Sequence, residues 1–250
     1  MNTNVINFPP LSATCSSCRW TKFCVARVLE PENRAQVAKN MVCSGPLRRG
    51  AHVFRQGDDL KSLYVVRSGS VKCYIDSEDG CEQIVAFHFP GDLLGFDAIA
   101  DGRHQSSAIA LETTAVCSLP YHRLAQVAIE VPALWNEIMR AAAAQVMENQ
   151  NHALLLGQKS AQARLAIFLL YMSNRFAARG CSRSEFNLSM SRQEIANYLA
   201  VAVETISRLF SDFQRRGILE VERRYVKIVS LTALKELALE GRVQQDAYNA

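Results

Sequence analysis

The sequence predicts an α+β fold, in which an antiparallel β sandwich or roll is followed by a long helix and then by a compact helical module with a hairpin. Three observations carry this. Glycines recur at 57, 69, 80, 91 and 102, at intervals of 11 or 12 residues, with short β-prone runs between them. The stretch after Pro132 is dominated by helix formers and holds apolar residues at heptad spacing. A Ser-x-x-Glu pattern at Ser191 opens two short amphipathic segments separated by three residues.

The β-prone runs at 62–67, 71–75, 83–89 and 115–119 are rich in Val, Ile, Tyr and Phe. Such runs, bounded by turn residues every 8 to 12 positions or so, read as a sandwich or roll. Pro120 marks the change of period. Beyond Pro132, Trp135, Met139, Ala142, Val146, Asn149, Ala153 and Leu156 follow spacings of 4 and 3 in alternation. This is a seam along which two helices can zip, with Asn149 as a register-setting polar residue. A single amphipathic helix packed on the β domain would show a similar stripe. Gly157 is placed to close this helix, and 158–160 to link it to a second helix over 161–178 that ends at Gly180.

Composition excludes several classes. At 250 residues, 49% hydrophobic and 21% charged, the chain buries a core and is neither disordered, collagenous nor a coiled-coil rod. Its longest apolar stretches, 141–144 and 153–156, fall far short of the ~20 residues of a membrane helix. The first ten residues have no cationic and apolar leader pattern, so a cytoplasmic protein is expected. Eight cysteines are then expected to serve metals, clusters or redox chemistry rather than disulfides. The net charge of +4 is unevenly spread: −1 over 1–158, +6 over 159–228 and −1 over 229–250. A basic segment beside a near-neutral one is the footprint of a nucleic-acid-binding module, although a solvated basic face looks alike.

Within the basic segment, Ser191 and Glu194 form a capping box. The helix it starts at Arg192 is joined through 200–202 to a second helix over 203–216 with Ile206, Leu209, Phe210 and Phe213 inward, ended by Gly217. This is a helix-turn-helix. Its second helix offers Glu204, Ser207 and Arg208 where base edges are read: Arg208 to guanine, Glu204 to cytosine N4, Ser207 to either base. Each is alone compatible with a solvated helix, and Glu204 with Arg208 also suits an i,i+4 ion pair. Strands over 218–221 and 225–229 flank a turn and read as a wing, making Arg215, Arg216, Arg223, Arg224 and Lys227 candidate phosphate contacts.

Cys15, Cys18 and Cys24 form C-x2-C-x5-C, and Cys117 ends the last β-prone run. Four thiolates can hold a [4Fe–4S] cluster, a four-thiolate zinc site uses the same donors, and a C-x-x-C redox enzyme is a weaker option because no βαβ pattern surrounds Cys15. Cys43, Cys73 and Cys181 are expected to be small buried hydrophobes, Cys81 an exposed turn residue, and the five scattered histidines structural or surface residues.

Together these motifs resemble the CRP/FNR superfamily of bacterial transcription regulators over about residues 15–240. The resemblance implies a β-roll (jelly-roll-like) sensor domain, a long dimerisation helix and a C-terminal winged helix-turn-helix. In these terms 1–45 is a cluster-binding segment, 46–130 the roll, 131–157 the dimerisation helix and 161–240 the DNA-binding domain. Val203-Glu-Thr-Ile-Ser-Arg208 looks like the recognition helix of the FNR branch, which implies TTGAT-type inverted repeats. The cysteine spacing, with Leu111-Glu-Thr-Thr-Ala-Val-Cys117 and Gly91-Asp-Leu-Leu-Gly-Phe-Asp-Ala98, is similar to that branch too. It implies a non-enzymatic, homodimeric, oxygen-responsive regulator with a [4Fe–4S] cluster on Cys15, Cys18, Cys24 and Cys117, contacting RNA polymerase through 76–81 and the surface around Thr113. Cyclic nucleotide is not expected, because the Arg-Ser or Arg-Thr pair of the nucleotide-binding branch reads Gln105-Ser106 here. The chain also departs from the family at Ala200 and Ala202, where Gly and a Ser or Thr N-cap are usual.

Overall fold

The structure, a computed structural model, describes Cys18, Lys22, residues 24–30, Arg34, residues 37–38, 40–77 and 79–239. The chain divides into two compact units, residues 1–147 and 148–250.

The first unit is a β-roll of two antiparallel four-stranded sheets. Strands β1 (Val42–Leu47), β8 (Thr114–Pro120), β3 (Ser62–Ser68) and β6 (Leu93–Leu94) form one sheet in that spatial order. Strands β2 (His52–Phe54), β7 (Ser107–Ala110), β4 (Val71–Asp76) and β5 (Glu82–His88) form the other. The four β-prone runs are β3, β4, β5 and β8. The other four strands carry weak signals: β1 contains Gly45 and Pro46 and lies at a sheet edge, the position where proline costs no ladder bond. All five periodic glycines adopt positive φ, as tight turns between strands require. Gly69 is further constrained, since a Cβ there would meet the Thr113 carbonyl oxygen at 2.5 Å.

One apolar core of this unit joins Leu63 and Val65 of β3, Cys117 and Leu119 of β8, and Val25, Ala26 and Leu29 of the N-terminal segment. Two helices close it. These are α1 (Tyr121–Glu130), which contributes Leu124, and α2 (Pro132–Gln158), which contributes Leu134 and Ile138. Proline begins α2, where its missing N–H costs nothing. Gly157 does not end this helix; it lies inside the last turn, and α2 runs on to Gln158.

In the second unit, α3 (Ala161–Ala178) starts at Ser160, whose hydroxyl accepts from the Ala163 N–H. The helix-turn-helix is α4 (Arg192–Tyr198) and α5 (Val203–Arg215). The capping box is formed at both ends: Ser191 N–H donates to Glu194 Oε2 at 2.7 Å, and Glu194 N–H to Ser191 Oγ at 3.2 Å. Ile195, Leu199, Ile206, Phe210 and Phe213 are buried between the helices, and the Arg192 guanidinium lies 3.5 Å from the Phe210 ring centroid. The wing strands β10 (Leu219–Glu222) and β11 (Tyr225–Ile228) gain a third partner, β9 (Glu185–Asn187), too short to show in the sequence pattern. Among the described residues the last helix is α6 (Leu231–Leu239).

The turn between α4 and α5 is built around Ala200 at φ +50°, a left-handed conformation that a Cβ opposes. Arg164 offsets this cost. Its guanidinium donates to the carbonyls of Leu156 (2.6 Å), Lys159 (2.9 Å), Leu199 (2.9 Å) and Ala200 (3.3 Å), tying the end of α2 to the turn. Removing the Ala200 side chain relieves the backbone and leaves these bonds intact. Ala200→Gly is therefore expected to stabilise the protein by about 1 kcal/mol, seen as a rise of ~2–4 °C in thermal midpoint.

Candidate functional site

Helix α5 points Glu204, Ser207, Arg208 and Ser211 to solvent from the face opposite its buried Ile206, Phe210 and Phe213. Ala202 supplies no side-chain cap, so the helix N-terminus is held by backbone alone. Ser207 Oγ donates to the Val203 carbonyl at 2.9 Å, which leaves its lone pairs as acceptors. Arg208 Nε donates to the Glu204 carbonyl at 3.4 Å rather than to its carboxylate. The candidate phosphate contacts divide into two sets. Arg223, at φ +53° in the wing turn, and Arg224 are exposed. Arg215 and Arg216 instead share Asp212, at 2.5 and 3.6 Å, and Lys227 pairs with Glu220 at 2.9 Å. Exposed pairs of this kind are worth about 0–1 kcal/mol, so a phosphate can displace them.

The cysteines lie in the first unit, apart from Cys181 in the second. Cys15 lies outside the described residues. Cys24 precedes a short 3-10 turn, Val25–Val28, and packs with Cys43 against the core that contains Cys117. Among the described residues no three His, Cys, Asp or Glu side chains converge into a metal site. Cys43 is not the isolated hydrophobe expected from its spacing. It sits directly across β1 and β8 from Cys117, with the sulfurs 2.6 Å apart. That hydrogen bond, helped by the charge of Arg67 and opposed by burial, lowers the Cys43 thiol to about 6. Cys181 is exposed rather than buried, while Cys73 is buried and its thiol pushed up by desolvation. The donor chemistry present is that of thiols beside an apolar core: Cys24 and Cys43 pack against the core that contains Cys117, and Arg67 lies beside Cys43.

The turn after Cys24 is tied to α2. Arg27 meets the buried carboxylate of Glu137 at 3.0 Å, and Arg140 bonds the other oxygen of the same carboxylate. Along α2 the core side is Leu134 and Ile138, whereas Trp135, Met139 and Val146 are 39%, 47% and 55% exposed. Asn149 and Ala153 are exposed too, and Ala142 and Leu156 half-buried. The helix thus carries both a core stripe and a separate apolar seam left open to solvent.

A partly buried polar corner of the roll has no local signal in the sequence. Asp97 Oδ2 accepts from the N–H groups of Gln105 (3.0 Å) and Ser106 (2.9 Å) and from Ser106 Oγ (2.8 Å). Its Oδ1 faces His104 Nδ1 at 3.2 Å, and the His104 ring stacks on Phe54 at 3.7 Å between centroids. Burial would raise the Asp97 carboxyl, but the bonds from His104 and Ser106 outweigh it and hold the group below the usual range.

A β-roll joined by a long helix to a winged helix-turn-helix with a polar, solvent-facing recognition face defines a DNA-binding transcription regulator. Comparisons with known proteins agree with that class. Residues 46–130 match a cyclic nucleotide-binding domain model and residues 163–237 a Crp-like helix-turn-helix domain. The chain is 42% identical over 224 residues to the fumarate and nitrate reduction regulatory protein of Escherichia coli strain K12, covering 90% of each chain. Against the same-named protein of Vibrio cholerae it is 43% identical over 224 residues, again 90% of each. Among solved structures, FixK2 from Bradyrhizobium japonicum superposes with a TM-score of 0.72 at 28% identity, over 80% of this chain and 98% of that one. A CooA variant from Carboxydothermus hydrogenoformans shares the fold, with a TM-score of 0.68 at 22% identity over 81% and 90%. The chain belongs to the CRP/FNR family of transcription regulators.

Two outcomes follow from this geometry. Arg208→Ala should cost about 1–3 kcal/mol of binding and relax preference at one guanine, whereas Arg223→Ala should weaken every DNA sequence alike, as salt-dependent competition binding would show. For Asp97, the folded pKa lies below the unfolded value of ~3.9. Its contribution to stability is therefore present above that value and is lost as pH falls through the folded one. Denaturation profiles of Asp97→Asn should show a lower plateau at neutral pH and a shallower fall below about pH 4.

Proposed function

We propose that this regulator senses oxygen through a [4Fe–4S] cluster held by Cys15, Cys18, Cys24 and Cys117, and acts as a cytoplasmic homodimer on TTGAT-type inverted repeats. The observation that carries the proposal is the core shared by Cys117, the turn after Cys24 and the first turns of α2. Bound there, the cluster would supply an oxygen-labile cross-link between thiolates that are distant in sequence. The rest is done by the chain. With Cys24 and Cys117 committed to one centre, the 25–29 turn stays seated and Arg27 stays paired with Glu137. Helix α2 then presents Trp135, Met139 and Val146 in the arrangement a second chain covers. Two recognition helices together address two half-sites about one helical turn apart, which a monomer cannot do.

The roll serves as a platform rather than as a nucleotide site in this reading. The N–H groups and hydroxyl at Gln105 and Ser106 are already committed to Asp97, so a cyclic phosphate would have to displace a half-buried, hydrogen-bonded carboxylate. The exposed turn around Asp76 and Cys81, with exposed Glu112 and Thr113, offers a surface for RNA polymerase and hence for activation of anaerobic genes.

Anaerobic purification tests the proposal. The expected protein is brown, carries about four irons per chain with matching sulfide, sediments as a dimer and footprints a TTGAT palindrome. Exposure to air should remove the iron, shift sedimentation to the monomer and abolish the footprint. A colourless protein with one zinc and the same DNA affinity in air would rule the proposal out.

A further inference from the structure

We propose that Cys43 and Cys117 form a reversible intrachain disulfide when Cys117 is not a metal ligand, so that a peroxide withdraws this thiol from use. The consequence for metal loading rests on the reading of Cys117 as a cluster ligand; the disulfide itself rests on geometry.

Residues directly opposite each other on antiparallel strands have Cα atoms about 4.5–5.5 Å apart, within the ~4.4–6.8 Å that a disulfide spans. Cys43 and Cys117 are such a pair, in register between β1 and β8. Their sulfurs are 2.6 Å apart, against about 2.05 Å when bonded. The pair is unequal in a useful way. Cys117 is buried on a strand held on both sides, by β1 and by β3, where it faces Val65. Cys43 is half-buried on the edge strand β1, so a small oxidant reaches it first and the edge strand supplies the remaining movement.

Hydrogen peroxide is the oxidant in this scheme. The Cys43 sulfur attacks one peroxide oxygen, breaks the O–O bond and becomes a sulfenic acid, releasing one water. The Cys117 sulfur then attacks the Cys43 sulfur and expels the hydroxyl, which leaves as a second water with the Cys117 proton. Two thiols and one peroxide give one disulfide and two waters. A disulfide sulfur is no longer a thiolate donor, so the iron-free chain cannot reload until a dithiol reduces it. Transient disulfides of this kind are the form redox sensing takes in reducing compartments.

The full-length chain allows an unambiguous map, because trypsin releases Cys43 in residues 40–48 and Cys117 in residues 104–123, each the single cysteine of its peptide. Iron-free protein treated with peroxide should yield these two peptides joined and lighter by two hydrogens. Wild-type protein should then fail to take up ferrous iron and sulfide until dithiothreitol is added. Cys43→Ser, with Cys43→Ala as a second variant should the first not fold, should give no joined peptide and should load iron after peroxide without reductant. The inference is overturned if Cys117 is recovered unmodified or joined to another cysteine. It is equally overturned if the Cys43 variants lose iron under anaerobic conditions, since Cys43 would then be a ligand. Cys117→Ser separates the two readings. Full iron in that variant sinks the cluster assignment while the peptide map still decides the disulfide; lost iron in that variant, with wild-type loading indifferent to dithiothreitol, sinks the inference alone.

Discussion

A carboxylate removed from water has to be paired, and Glu137 is a buried carboxylate on the long helix α2. It is satisfied from two directions, by Arg27 from the segment after Cys24 and by Arg140 one turn along α2. Around this pairing the apolar residues of three otherwise separate pieces of chain, the N-terminal turn, strands β3 and β8, and the start of α2, close into one core. The arrangement makes the position of the N-terminal turn and the position of α2 a single packing problem. A seated turn keeps Leu134 and Ile138 buried and turns Trp135, Met139 and Val146 outward. Well-packed cores tend to have discrete arrangements rather than a continuum, which is what a switch between two states requires.

The second unit shows a comparable economy. Arg164 satisfies the last carbonyls of α2 and the carbonyls of the helix-turn-helix turn with one guanidinium. Beside it, His152 of α2 stacks on Tyr198 of α4 at 4.1 Å and bonds its carbonyl at 2.9 Å. These contacts fix the recognition helix relative to the end of α2 although the turn contains an alanine in a glycine conformation and the helix start lacks a capping oxygen. The solvent-facing side chains of α5 can thus vary in chemistry without bearing the cost of holding the helix in place.

Helices α3, α4 and α5 of the second unit were legible in the sequence nearly to the residue, because capping, helix-breaking glycine and apolar periodicity are all local signals, whereas α6 was not read from it. The same holds for the four apolar strands. Strand β1 was not, since glycine and proline mask a strand whose existence depends on pairing with β8, more than 60 residues on. The candidate site divides in the same way. C-x2-C-x5-C is visible because its members are neighbours in sequence, and the exposed residues of α5 because helix geometry dictates their face. The partner of Cys117 was hidden, because nothing local to Cys43 indicates the register in which β1 docks. Asp97 was hidden too, because its acceptor role exists only once the 104–106 turn folds over it.

Residue order alone determined the class of fold, the cation-rich reading head and the inventory of thiols, since each follows from spacing and chemistry within a few residues. Tertiary structure decided which groups meet. It placed Cys43 against Cys117, filled the polar corner of the roll with Asp97, paired Glu137 with Arg27 and left the α2 seam uncovered. Those outcomes depend on strand register and on desolvation, and neither is set until distant segments pack together.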